Sequence, residues 1–125
     1  MKSNLVWDVT YLLFFAVLTI SVGCGGAPTT ASGMTIYEAA EKGDASAVGA
    51  LIRQGFDINK PDENGLTIMH YAAIGNHPEV IEMLTEDFGA NPNIRDAQGR
   101  TPLSYARERK NARAARTLVS SGGVE

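Results

Sequence analysis

The sequence predicts an all-α fold in which short helix-turn-helix units stack into a solenoid. Three observations predict it. A set of residues recurs at an interval of 34. Apolar residues between the recurrences fall at helical spacing. Threonines and glycines stand where helices of that spacing would begin and end.

The chain has 125 residues, enough for one small domain, and the N-terminal part is set apart by composition. Met1 to Thr10 carries one base, Lys2, and one acid, Asp8. Val9 to Gly23 has no charge and is strongly apolar at its centre. That run is short for a membrane-spanning helix and has the length of a signal-peptide core. Ser21-Val-Gly-Cys24 comes next and resembles the lipobox of bacterial lipoproteins. The resemblance implies cleavage after Gly23 and lipidation of Cys24, with acyl chains as a membrane anchor. Ser21 departs from the usual leucine at that position. An ordinary secretory signal and an uncleaved anchor are the alternative readings. Residues 1–23 are thus expected to be a lipoprotein-type signal peptide, and 24–33, rich in Gly, Pro, Ser and Thr, a flexible tether. Gly25 after the cysteine is not the acidic residue that retains many lipoproteins at the inner membrane. By the same resemblance, the outer membrane is favoured, with the domain facing the periplasm.

The repeat begins where the tether ends. Asp62-Glu-Asn-Gly65-Leu-Thr67-Ile-Met-His70-Tyr-Ala72 aligns with Asp96-Ala-Gln-Gly99-Arg-Thr101-Pro-Leu-Ser104-Tyr-Ala106. Asp, Gly, Thr, Tyr and Ala recur at an interval of 34. Ala39-Ala40 precedes Ala72-Ala73 by 33, and Gly55-Phe-Asp-Ile-Asn59 precedes Gly89-Ala-Asn-Pro-Asn93 by 34, so the second unit holds one extra residue around Thr85–Phe88. Period and residues resemble the ankyrin repeat. That resemblance covers nearly all of the chain after the tether, and implies a solenoid of about three units, at 34–61, 62–95 and 96–123, with short β-hairpin-like loops.

Each unit has a physical reading. Thr35-Ile-Tyr-Glu38 has capping-box spacing and starts the first helix. Thr67 and Thr101 cap the opening helices of the next two units, and Pro102 suits a first helical position. Gly65 and Gly99 serve sharp turns, and Gly55, Gly89 and Gly122 stop the second helices. Ala39, Ala40, Ala72, Ala73 and Ala106 permit close helix packing. Val48, Leu51 and Ile52, then Val80, Ile81 and Leu84, then Ala115, Leu118 and Val119 are the expected stacked core. The third unit places Arg107 where a second alanine is expected and Lys110 at the loop glycine, as a polar C-terminal cap requires. The first unit, without a Thr-Pro-Leu-His opening, is the expected N-terminal cap.

The residues offer little to catalysis. His70 and His77 fall at positions where the resemblance assigns them loop stabilisation and capping, and their spacing is not that of a zinc site. No phosphate-binding glycine loop, nucleophile elbow or metalloprotease motif is present. The chain is therefore expected not to be an enzyme and to need no cofactor and no metal. Catalysis is the alternative of another class. One cysteine excludes an internal disulfide.

Charge is ordered along the chain. From Thr35 to Asn91 acids dominate, opposed by Lys42, Arg53 and Lys60, whereas Arg95, Arg100, Arg107, Arg109, Lys110, Arg113 and Arg116 make the remainder basic. The basic stretch lacks the interleaved aromatics of a nucleic-acid site. It could instead lie against anionic lipid. The resemblance implies a protein partner bound on the concave side. The matching positions are Glu41 and Lys42, then Glu63, Asn64, Leu66, Ile74 and Gly75, then Ala97, Gln98, Arg100, Glu108 and Arg109. Leu66 and Ile74 are apolar where the scaffold does not demand it, and are the expected anchors, with Arg100 and Arg109 as polar partners. The expected function is a membrane-tethered interaction module of the bacterial cell envelope, monomeric until bound. The alternative is an immunity protein that neutralises a toxin acting in the periplasm.

Overall fold

The computed structural model describes residues 29–125. The expected signal peptide and Cys24 lie outside the described residues. Six α-helices succeed one another: α1 (Ile36–Lys42), α2 (Ala45–Arg53), α3 (Ile68–Ile74), α4 (Pro78–Glu82), α5 (Pro102–Glu108) and α6 (Ala112–Ser120). No strand is present among the described residues. The opening helices α1, α3 and α5 pack in one row, and α2, α4 and α6 in a second. The array is the expected helix-turn-helix solenoid.

The helix starts are set by their side chains. The Glu38 N–H donates to Thr35 Oγ1 at 3.2 Å, and the Thr35 N–H donates to Glu38 Oε2 at 2.9 Å, closing the capping box. The backbone and hydroxyl of Thr35 hold the Glu38 carboxyl below its ordinary pKa. Thr101 Oγ1 accepts from the Ser104 N–H at 3.3 Å, with Pro102 opening α5. Past α2, the π turn and α6, Gly55, Gly89 and Gly122 all have positive φ. In the loop between the two helices of each unit, the left-handed position is taken in turn by Gly43, Asn76 and Lys110, with φ of 81°, 61° and 59°.

The extra residue of the second unit is absorbed inside a helix. After α4 the chain passes directly into a π-helical turn, Met83–Asp87. Hydrogen bonding from i to i+5 takes one more residue per turn than an α-helix, so an insertion is accommodated without displacing the next loop. The Thr85 hydroxyl lies 2.9 Å from the Ile81 carbonyl and 3.1 Å from that of Glu82, and supplies a donor where the ladder is loosened.

The core runs the length of the stack. Ile36, Ala39, Ala40 and Val48 of the first unit have no exposed surface, nor do Ile68, Ala72, Ala73, Val80, Ile81 and Leu84 of the second, nor Ala106, Ala114 and Leu118 of the third. Two expectations need correction. Ala114, not Ala115, is the buried alanine of α6, and Val119 is 52% exposed. Among the described residues, no further unit lies on Ala115 and Val119. Ile52 is half-buried.

Residues 29–33, expected as part of the tether, form a turn like those between later units. The Thr30 N–H donates to the Met34 carbonyl at 2.8 Å and the Gly33 N–H to the Thr30 carbonyl at 2.9 Å. The C-terminus is likewise held. Val124 N–H donates to Asn93 Oδ1 at 2.8 Å, and Arg95 reaches the Glu125 carbonyl at 3.1 Å.

Candidate protein-binding surface

The loops between units are each built around an aspartate, Asp62 half-buried and Asp96 buried. Asp62 Oδ1 accepts from the N–H groups of Asn64 at 2.8 Å and Leu66 at 2.9 Å, while Oδ2 accepts from the Tyr71 hydroxyl at 2.6 Å. Asp96 repeats the pattern with Gln98 at 2.9 Å, Arg100 at 2.8 Å and the Tyr105 hydroxyl at 2.5 Å. Each carboxylate thus folds its own loop and fastens it to the succeeding helix. Burial pushes the Asp96 pKa up, but the donors around it and the Arg100 guanidinium outweigh burial and hold it below the carboxylate range. Burial, and then the bond to Asp96, push Tyr105 up to about 12. Tyr71 is raised by burial and then by its bond to Asp62.

Adjacent tips are joined. The Ala97 N–H donates to the Asn64 carbonyl at 3.2 Å. This approach needs Gly65, whose φ is +81° and where a Cβ would come within 2.6 Å of the Ala97 nitrogen. His70 adds a second tie. It has no exposed surface. Its Nδ1 accepts from the Thr67 N–H at 3.0 Å, which leaves the proton on Nε2 to donate to the Arg100 carbonyl at 3.1 Å. Burial lowers the His70 pKa, so the neutral ring is the form the fold selects. His77 packs its ring over Gly43 and Gly75 and pairs with Glu79 at 3.2 Å. It occupies the N-cap position of α4 but its side chain makes no cap hydrogen bond.

Around this frame lie the residues singled out from the sequence. Glu41 and Lys42 at the end of α1, Glu63 and Asn64 at one tip, Ala97 and Gln98 at the next, and Glu108 and Arg109 at the end of α5 are exposed. Among the described residues, the side chains of Glu41, Lys42, Glu63, Gln98 and Arg109 make no hydrogen bond or ion pair and are directed to solvent. Leu66, Ile74, Gly75 and Arg100 are half-buried. The backbones of Glu41 and Gly75 meet so closely that a Cβ on Gly75 would lie 2.2 Å from the Glu41 carbonyl oxygen. Arg100 is committed within the chain. Its guanidinium lies 4.3 Å from the Tyr105 ring centre, bonds the Tyr105 hydroxyl and pairs with Glu108 at 3.4 Å. Its Nε, 3.4 Å from Asp96 Oδ2, is buried without an aligned hydrogen bond. Among the described residues, no group of His, Cys, Asp and Glu could hold a metal ion.

Sequence reasoning missed two asparagines. Asn111 Nδ2 donates to the carbonyls of Ala73 and Ile74, each at 2.9 Å, and so closes the end of α3 from the next unit. Asn76 Oδ1 accepts from the Ala114 N–H at 3.1 Å in return. Their signal was an asparagine at a helix boundary in successive units. The Asp–Tyr pairs were visible as a recurrence, but not as one hydrogen-bonded unit.

The profile of ankyrin repeats (3 copies) matches residues 36–125. The chain belongs to the ankyrin-repeat family.

Curated relatives match part of the chain. The palmitoyltransferase Hip14 of Drosophila melanogaster is 30% identical over 91 residues, 73% of this chain and 14% of that protein. Human Rabankyrin-5 is 32% identical over 92 residues, 72% of this chain and 8% of its own length. The chain therefore spans a small part of these relatives, and some ankyrin regions occur within enzymes. Among solved structures, one of a predatory endopeptidase from Bdellovibrio bacteriovorus in complex with an immunity protein matches at a TM-score of 0.66 and 26% identity. The match covers 78% of this chain and 49% of that one. An ankyrin array is an interaction scaffold without catalytic machinery of its own, and protein partners are what it binds.

Proposed function

We propose that this ankyrin array is held at a bacterial envelope membrane by a lipid on Cys24 and captures a protein partner on its tips and opening helices. One observation carries the binding reading. Two interlocked tips, held rigid by Asp62 and Asp96, present solvent-directed Glu63, Asn64 and Gln98 beside the free ends of α1 and α5. The scaffold uses none of these side chains, so they are available to a partner. Half-buried Leu66 and Ile74 supply apolar surface between them. The tether reading rests on Ser21-Val-Gly-Cys24 after an uncharged apolar run. In this reading the domain faces the periplasm, with the outer membrane favoured.

The test uses the full chain as bait in its native envelope. A partner captured by the parent and lost in Asn64→Arg/Gln98→Arg, with circular dichroism unchanged, supports the surface. Capture that survives the double substitution argues against it. Processing sensitive to globomycin, and lost in Cys24→Ala, tests the anchor.

A second reading is favoured by the solved complex: an immunity protein that neutralises an envelope-acting toxin. Its motivation is the likeness to a solved complex that contains an immunity protein. Co-expression with a toxin encoded beside this chain should restore growth. No protection against any neighbouring toxin would sink this reading and leave the scaffold role standing.

A further inference from the structure

The open end of the stack is built differently from a polar cap. The 34-residue interval pairs Ala73, Ile81 and Thr85 of the second unit with Arg107, Ala115 and Val119 of the third. Ala73 and Ile81 have no exposed surface because the third unit lies on them. Among the described residues, no unit lies on their counterparts in this way. Arg107 is exposed, Ala115 half-buried and Val119 52% exposed. Two adjoining grooves, of 360 and 290 Å³, share Arg107 and Ala115 as lining and form one trough along α5 and α6. Arg116 and Val119 line one part of it and Lys110 the other. The floor is apolar and the rim is basic. Arg107 pairs with Glu125, but Lys110 and Arg116 make no ion pair among the described residues.

That combination selects among occupants. In an intact array this surface receives a helix, as α4 receives α6. A second copy docking face to face about a two-fold axis would set Lys110 and Arg116 against their own kind, which like-charge repulsion opposes. We propose that the trough docks an acidic amphipathic helix of a partner protein, whose small apolar stripe covers Ala115 and Val119 and whose carboxylates meet Lys110 and Arg116. The helix lies on the third unit as the third lies on the second, and the surface is separate from the tips.

The experiment tracks amide chemical shifts of the isotope-labelled full-length chain. The probes are a helical peptide with leucine at a- and d-type positions and glutamate elsewhere, its lysine-for-glutamate counterpart, and phosphatidylglycerol vesicles. The acidic peptide should shift Arg107, Ala115 and Val119 while leaving Asn64 and Gln98 unmoved. Arg116→Glu/Val119→Glu should weaken it about tenfold, a loss of about 1.4 kcal/mol, and the basic peptide should bind the substituted chain instead. Both sites are exposed. Should that pair disturb the circular dichroism spectrum, Arg116→Glu alone carries the comparison. Absence of binding, equal binding of the two peptides, or shifts at the tips would overturn the proposal. Vesicles that shift the end-face amides when the acidic peptide does not would assign the face to anionic lipid and overturn it as well.

Discussion

Asp96 shows how a charge is kept inside a small protein. Its side chain is fully covered, and three donors converge on its two oxygens. Removing a donor to a buried ionised group costs about 2 kcal/mol. Tyr105→Phe should therefore lower stability by about that amount in urea unfolding. It should also change the alkaline behaviour. Tyr105 has a folded pKa of about 12, above the ordinary 10.0, so its contribution is complete below pH 10 and is lost as pH rises towards 12. Melting temperatures taken across that window should fall less steeply in the phenylalanine variant. His70 acts at the other end of the scale. Its folded pKa lies below 6.5, so the stability it supplies is complete above pH 6.5 and declines as pH falls further. His70→Gln should flatten the stability profile between pH 7 and pH 5. An unchanged slope would mean that another group titrates there. Neither role could be read from residue types alone. His70 was legible as a loop stabiliser, yet its acceptor, the Arg100 carbonyl, lies thirty residues away and is brought near only by stacking.

At the scale of the element, helix starts were the most legible feature. Thr35 and Thr101 act locally, through backbone donors three residues on, and Thr67 meets the His70 ring at the same spacing, so sequence spacing is enough to find them. The extra residue near Thr85 was legible as a count, but not as a π turn, because a loop could have absorbed it equally well. The core of α6 was misread by one position. Ala114 and Ala115 are equally apolar, and only the direction of the preceding unit decides between them. The left-handed loop positions yield a prediction. Lys110 at φ 59° bears a steric penalty of about 1 kcal/mol that glycine avoids. Lys110→Gly should stabilise the fold by up to that amount in chemical denaturation. Asn76→Gly, at φ 61°, should not, since it removes the acceptor for the Ala114 N–H.

For the whole molecule, three units are close to the fewest that a solenoid needs, and the apolar faces of the first two units are covered by the unit that follows each. Deleting residues 96–125 would uncover Ile81 and Leu84 together, and would remove Asn111 from the end of α3. The shortened chain should lose its helical circular dichroism outright, and the full chain should unfold in a single transition. A two-step unfolding curve would show instead that the first two units stand alone. The ordering of charge, acidic first and basic last, was legible from the sequence. Which face carries the free cations was not, because Arg100 and Arg107 are engaged within the chain.

The bond from Ala97 to Asn64 has a kinetic meaning for any partner of the tips. Loops that are already fastened to each other and to the helices behind them have little conformational freedom left to surrender on association. Complex formation then asks for a rigid fit, without a folding step at the surface. Substitutions at Asn64 or Gln98 should accordingly show themselves in how long a complex lasts, while the rate at which it forms stays nearly constant.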